Sequence, residues 1–256
     1  MLLKISDKLI GYENEFDIFK KLFESNNLPK TILIEGQKGI GKFTFAIHLI
    51  NHFLNQVKTD IFSNLDKCQN LMVLNKNEKD KEYKIEDIRK IINLCNLKIS
   101  DEKKYFVIIK DINFLNNNSI NALLKVTEEQ KNNVFFIFTA DSSKPISETL
   151  KSRLFVQKLF LKKQFYKTVI ENFIFENNIT YEYEINEEET PGAQIRQSLI
   201  SNIGDLNSLK KENEDVFLNI FSKKIISQDT DFLSNLKKLK LNLALKNDIR
   251  FMFKKY

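Results

Sequence analysis

Gly36, Gly39, Gly41 and Lys42 stand close together in the stretch EGQKGIGKFTFA, directly after the aliphatic run Ile32-Leu33-Ile34 and before an apolar segment of helical pattern. That order reads as strand, phosphate-binding loop, helix. Glycines let backbone N–H groups turn inward around phosphate oxygens, the helix N-terminus adds positive potential, and the lysine reaches the outer phosphates. The motif asks for Ser or Thr directly after the lysine, to ligate Mg²⁺. Here Phe43 stands in that place and Thr44 follows one residue late. A helix turns about 100° per residue, so Thr44 cannot offer its hydroxyl from the position of residue 43. The loop is equipped for phosphate and poorly equipped for metal; the plain alternative is a glycine-rich turn that holds no ligand.

Other residue types that could do chemistry are sparse. His48 and His52 lie at i, i+4 on the helix after the loop, a spacing that can bring two imidazoles to one ion. They lack the intervening glutamate of the metalloprotease pattern and a third ligand nearby. Cys68 and Cys95 are too far apart and too unaccompanied to form a zinc site, and are expected to be ordinary packed or half-exposed residues. No metal site is expected. The net charge of +6 would suit a polyanionic partner, but it is spread along the chain, and of 40 basic residues only Arg89, Arg153, Arg196 and Arg250 are arginines. Basicity alone is weak evidence for nucleic-acid binding.

The elements that must position the loop follow from periodicity. A helix is expected over 13–26, with Phe16, Phe19, Leu22 and Phe23 on one face, broken by Asn26-Asn27-Leu28-Pro29. The helix after the loop runs to about Leu54, and residues 56–69 read as an irregular connection. Leu71–Leu74 is a short buried strand, Ile85 to Cys95 a helix, YFVIIKD a strand, and NNNSINALLKVTEE a helix capped near residues 116–118. VFFIFTA is a further apolar strand. Strands apolar on both faces that alternate with helices imply an α/β fold with a parallel sheet covered on both sides. Beyond Phe160 helices dominate: an amphipathic one over 162–178, another after a turn at Pro191-Gly192, and long helical patterns over 208–226 and 229–254. No apolar run approaches the roughly 20 residues of a membrane span, and the first residues lack a signal-peptide pattern, so a cytoplasmic protein with no membrane partner is expected.

Three stretches, GQKGIGKFTFA, FVIIKDINFLNNNSINALLKVTEE and SETLKSRLFVQKLFL, occur in the order and spacing of clamp-loader subunits of the AAA+ class. LIGYENEFDIF at 9–19, LPKT before the first strand and TPG at 190–192 also fit that resemblance, which spans roughly residues 8–200. Within the class the chain is similar to the delta-prime branch of bacterial DNA polymerase III clamp loaders. The resemblance implies a P-loop AAA+ domain over 1–162, a helical lid domain over 163–207 and a collar-like helical segment over 208–256 that is short for a full collar. Active members end the second motif's strand with Asp-Glu; this chain has Lys110-Asp111, a reversal of charge beside the metal position. The four-cysteine zinc module of many relatives is absent.

Ser152-Arg153 matches the family's Ser-Arg-Cys motif, with Leu154 in place of the cysteine. The resemblance implies that Arg153, supported by Ser152, is an arginine finger presented in trans to ATP held by a neighbouring ATPase subunit. The chain would then hydrolyse nothing itself and would require no cofactor, the loop from Gly36 to Thr44 holding ATP or ADP, if at all, without turnover. The implied partners are the clamp-loader ATPase subunits and the delta subunit and, through the complex, the sliding clamp and primed DNA. Several alternatives stay open: Arg153 as a surface charge at a strand start, Thr139 as a γ-phosphate sensor or a local hydrogen-bonding residue, an independent P-loop ATPase, and a stand-alone DNA-binding module. The apolar stripes of the terminal helices serve either neighbouring subunits or this chain alone.

Overall fold

Residues of the central strands alternate in facing, and in this chain both alternating sets are apolar, so each strand can be buried on two sides. In the computed structural model, which describes residues 5–54, 65, 68–76, 82–96, 104–128, 133–177 and 185–202, that pattern is met by a five-stranded sheet. The strands are β1 (Thr31–Gly36), β2 (Leu71–Leu74), β3 (Tyr105–Ile109), β4 (Val134–Asp141) and β5 (Phe155–Lys158), in the order β2-β3-β4-β1-β5, all parallel. Ile32, Ile34, Phe106, Ile108, Phe135 and Ile137 fill one face, and Leu33, Val107, Ile109, Phe136 and Phe138 fill the other.

Helices α1 (Glu13–Glu24) and α2 (Lys42–Phe53) cover the first face. Phe19 is fully buried there, with Phe16, Leu22 and Phe23 packed beside it, as the periodicity predicts. Truncating a buried phenylalanine such as Phe19 costs about 3–5 kcal/mol. Helices α3 (Ile85–Asn96) and α4 (Asn117–Glu128) supply Ile88, Ile91 and Leu123 to the second face. The expected cap of α4 is present: the Asn116 side-chain oxygen accepts the Ser119 N–H at 2.9 Å. A single turn, α5 (Glu148–Lys151), leads into β5, and α6 (Tyr166–Asn177) and α7 (Pro191–Asn202) follow.

The turn expected at Pro191-Gly192 is instead the start of α7. Proline is suited to a first helical position, because its missing N–H has no partner there to lose. Cys68 and Cys95 are both buried, the packed rather than the half-exposed of their two expected placements. The helical patterns over 208–226 and 229–254 and most of the 56–69 connection lie outside the described residues. The chain divides into two compact units, residues 1–196 and 197–256, and the first contains the whole sheet.

The sheet order places β1 between β4 and β5. The connection from β1 runs through α2 to the far edge, while β4 crosses over to β5 on the opposite side. Chains that leave neighbouring strands in opposite directions open a crevice at their carboxyl ends, where ligands of open α/β sheets bind.

Candidate functional site

The loop that leaves β1 enters this crevice. Gly39 and Gly41 have φ of +89° and +91°, backbone conformations that favour glycine. Gly41 is also the residue before α2, and no side chain caps that helix, so the amides of its first turn are left for a ligand. The Tyr12 hydroxyl donates to the Ile40 carbonyl at 2.8 Å and pins the loop from α1's side. Burial raises the Tyr12 pKa well above the ordinary tyrosine range, keeping this donor protonated. Lys42 is almost fully buried and folds back on the loop, donating to the Gly36 and Gln37 carbonyls at 2.8 and 2.7 Å. Two of its three donors are thereby used. Gly39, Gly41, Lys42 and Thr44 all line one cavity of about 530 Å³, and Gly36 touches it through Lys42.

The second wall comes from the end of β3. Lys110 and Asp111 both line the cavity. The Lys110 ammonium sits 4.3 Å from the centroid of the Phe43 ring. The two residues that stand where a hydroxyl and a carboxylate would ligate Mg²⁺ therefore pack on each other, in a cation–π contact worth about 0.5–2 kcal/mol. The Tyr83 hydroxyl reaches the Lys110 carbonyl and fixes the backbone at this point. Asp111 adopts φ +51°, and its N–H is accepted by the Thr139 hydroxyl at 3.0 Å. Thr139 thus makes the local hydrogen bond that was one of its two open roles.

A divalent cation does not fit this wall. Two unit charges about 4 Å apart interact by about 4 kcal/mol at an effective dielectric of about 20, and a dication beside Lys110 meets repulsion where a carboxylate would attract it. Asp111 is the one carboxylate among the described lining residues, and they contain no cluster of three metal-ligating side chains. His48 is engaged with the Ser6 carbonyl at 3.1 Å and His52 packs among Phe16, Phe23 and Phe53.

The start of α7 forms the third wall. The Thr190 hydroxyl donates to the Lys38 carbonyl at 2.9 Å and the Gly192 N–H to the Gly39 carbonyl at 2.8 Å. Arg196, one turn further, lines the cavity together with Lys38, Lys42 and Lys110. Burial holds all three lysines below the ordinary lysine range. Arg196 adds to the shift at Lys38 and Lys110, while Asp111 opposes it at all three. Leu9, Ile10, Leu161, Phe173 and Ile195 supply apolar lining, with Ser6 and Lys8 beside them. Phosphate-binding groups on one side and an apolar wall on the other fit a nucleoside polyphosphate. Sequence reasoning missed both Arg196 and the Phe43–Lys110 contact. Arg196 carried a signal, as one of four arginines in a helix opened by the TPG motif, whereas the contact joins residues 67 positions apart with no local pattern.

Ser152 and Arg153 are placed elsewhere. They lie in the exposed turn between α5 and β5 and do not line the cavity. The Ser152 hydroxyl and the Arg153 guanidinium both donate to the Thr149 carbonyl, at 3.1 and 2.9 Å. The Arg153 carbonyl accepts from the Thr31 hydroxyl at 3.1 Å, which ties it to the first residue of β1. The phosphate loop begins at the last residue of the same strand, a strand length of roughly 17 Å away. Arg153 and the loop are therefore at opposite ends of the sheet.

Comparison with known proteins matches more than half of the chain to one family. The model of a family described as "DNA polymerase III, delta subunit" covers residues 11–163, more than half of the chain. DNA polymerase III subunit gamma/tau of Mycoplasma genitalium is 30% identical over 152 residues, 56% of this chain and 25% of that protein. Subunit gamma of Buchnera aphidicola is 27% identical over 57% of this chain and 42% of its own length, so the chain spans less than half of these relatives. Among solved structures, a gamma-subunit-related protein of Thermotoga maritima superposes with a TM-score of 0.50 at 14% identity, over 93% of this chain and 90% of that one. A single-residue variant of RuvB from Thermotoga maritima gives 0.51 at 20% identity, over 84% and 70%. These structures share the fold. With more than half of its residues matched, the chain belongs to the DNA polymerase III delta-subunit family, within the AAA+ clamp-loader class.

Proposed function

We propose that this chain is a delta-prime-type subunit of a DNA polymerase III clamp loader, which hydrolyses no ATP and completes the active site of a neighbouring ATPase subunit with Arg153. The observation that carries this reading is the separation of Arg153 from the chain's own phosphate loop. A guanidinium about a strand length away from the loop cannot reach a phosphate bound there, but it is exposed to an adjoining subunit. Arginine suits that role because its planar fork can hold two phosphate oxygens at once.

The misfit of Mg²⁺ at Phe43 and Lys110 supports the loss of hydrolysis, since phosphoryl transfer in this class relies on the metal to neutralise developing charge. In this reading residues 163–207 form the lid, 208–256 pack in the collar, the partners are ATPase subunits and the delta subunit, and the assembly loads the sliding clamp at primed DNA. Ser152 holds the finger's turn through Thr149.

The test is reconstitution with candidate ATPase subunits. Arg153→Ala should abolish most DNA-stimulated ATP turnover at the neighbour's site while the complex still assembles; unchanged turnover overturns the assignment. Mg²⁺-dependent hydrolysis by the isolated chain on the order of one per second would equally sink it, since that is an ordinary enzymatic rate.

A further inference from the structure

Five cations, Lys8, Lys38, Lys42, Lys110 and Arg196, face a single carboxylate, Asp111, around the described lining of the cavity. Asp141, outside that lining, also acts on Lys38 and Lys42, and the described lining keeps a surplus of positive charge. The two cations nearest the lost metal position differ in how they are held. Lys42 is satisfied by loop carbonyls, whereas Lys110 rests on the Phe43 ring, which fixes its position without taking up its hydrogen-bond donors.

We propose that the cavity binds a nucleoside di- or triphosphate without a divalent metal, the Lys110 ammonium clamped on Phe43 standing as a resident cation in place of Mg²⁺. The uncapped amides of α2 receive the phosphates. Lys38 and Arg196 add charge from the loop and from α7, and the Leu9, Ile10, Leu161 and Phe173 side receives the nucleoside. Phe43 and Lys110 are then one exchange rather than two separate losses. A dication that must be captured from solution and coordinated is replaced by a monocation already in place. Such a site favours retention over turnover, because a single ammonium neutralises less of the developing charge than a dication bridging the β- and γ-oxygens. Bound nucleotide would brace the loop against α7 through the contacts of Thr190 and Gly192.

The proposal concerns this chain's own pocket. Its failure is read by ligand binding, and failure of the Arg153 assignment by the neighbour's ATPase, so the two are distinguishable. The experiment titrates the full chain with ADP and with pyrophosphate by calorimetry, once in EDTA and once in excess Mg²⁺. ADP should bind in EDTA at least as tightly as with Mg²⁺, and more tightly than pyrophosphate. Lys110→Met should weaken ADP binding in EDTA about tenfold, while Lys110→Arg should retain most of it. The double change Phe43→Thr with Lys110→Asp should reverse the metal response, making Mg²⁺ improve binding about tenfold. Thermal melts establish that each variant folds, and the wild-type titrations stand without them. Tighter wild-type binding with Mg²⁺ than with EDTA overturns the proposal, as does an absence of binding in both. Equal affinity for ADP and pyrophosphate overturns its nucleoside part.

Discussion

The two ends of the sheet treat their cations in opposite ways. At the carboxyl ends of β1 and β3, Lys42 is almost fully buried and held by two carbonyls, and Lys110 is clamped on an aromatic ring. At the amino end of β5, Arg153 stands in an exposed turn, its guanidinium held by the Thr149 carbonyl. The pocket end turns its charges into a cavity, and the β5 end presents one outward. On the proposed function, a P-loop domain keeps its phosphate cradle without its metal and contributes to ATP chemistry across an interface.

The largest effect expected from breaking this contrast is at Arg153. Arginine fingers contribute about 10³–10⁵ to rate where they act. Arg153→Ala should therefore cost about 10³-fold in single-site turnover in the reconstituted loader. Arg153→Lys should recover only a small part, because an ammonium keeps the charge and loses the fork. Full rescue by lysine, in a steady-state ATPase assay, would mean that charge alone suffices and that the planar geometry has no role.

Next in size is the docking of α7 on the loop. A Cβ on Gly192 would lie 2.7 Å from the Gly39 Cα and 2.8 Å from its carbonyl oxygen, both backbone atoms that cannot swing aside. Gly192→Val should cost on the order of 2 kcal/mol in urea unfolding, in the range of overpacking changes. It should also weaken ADP binding while leaving the neighbour's ATPase less affected. Equal loss at both ends of the sheet would show that the ends are not independent.

Much of this architecture is legible before any coordinates. The double-sided apolar strands, the Asn116 cap and the glycine spacing are local patterns, and local patterns survive folding. Three things are not legible, each for a physical reason. Pro191 reads as a turn because proline breaks helices, yet at the first helical position it costs nothing. Lys110 reads as a simple loss, because only folding brings it onto Phe43. Thr139 reads two ways until its partner, the Asp111 amide, is known.

A smaller effect is expected where the two ends are linked. The Lys151 ammonium, in the turn that precedes Arg153, bonds both oxygens of the mostly buried Glu35 carboxylate at 3.0 and 3.2 Å. Lys151 is partly exposed, which screens the pair, so Glu35→Gln should cost about 1 kcal/mol by chemical denaturation. It should also lower the neighbour's turnover slightly by loosening the Arg153 turn. A stability loss with no change in turnover would make the pair a structural tie alone.

The smallest expected effect is the pH response of the pocket, and it also separates the two ends. Lys38, Lys42 and Lys110 are held below the ordinary lysine range by burial, with Arg196 opposing a positive charge at Lys38 and Lys110 and Lys144 adding to this at Lys38. Asp111 works the other way at all three, as Asp141 does at Lys38 and Lys42. A bound polyphosphate favours the charged forms and pushes these pKa values back up. Above the lowered pKa of any of these lysines, binding must therefore take up a proton, and affinity falls as pH rises through that alkaline window. Below it the lysines are already charged in the free chain, and affinity is flat. ADP titrations in EDTA across the alkaline range should show a loss of a few-fold, accompanied by proton uptake in buffers of different ionisation enthalpy. The neighbour's site, which these lysines do not line, should show no such response. A pocket affinity that rises with pH would mean that carboxylates, rather than these lysines, control the site.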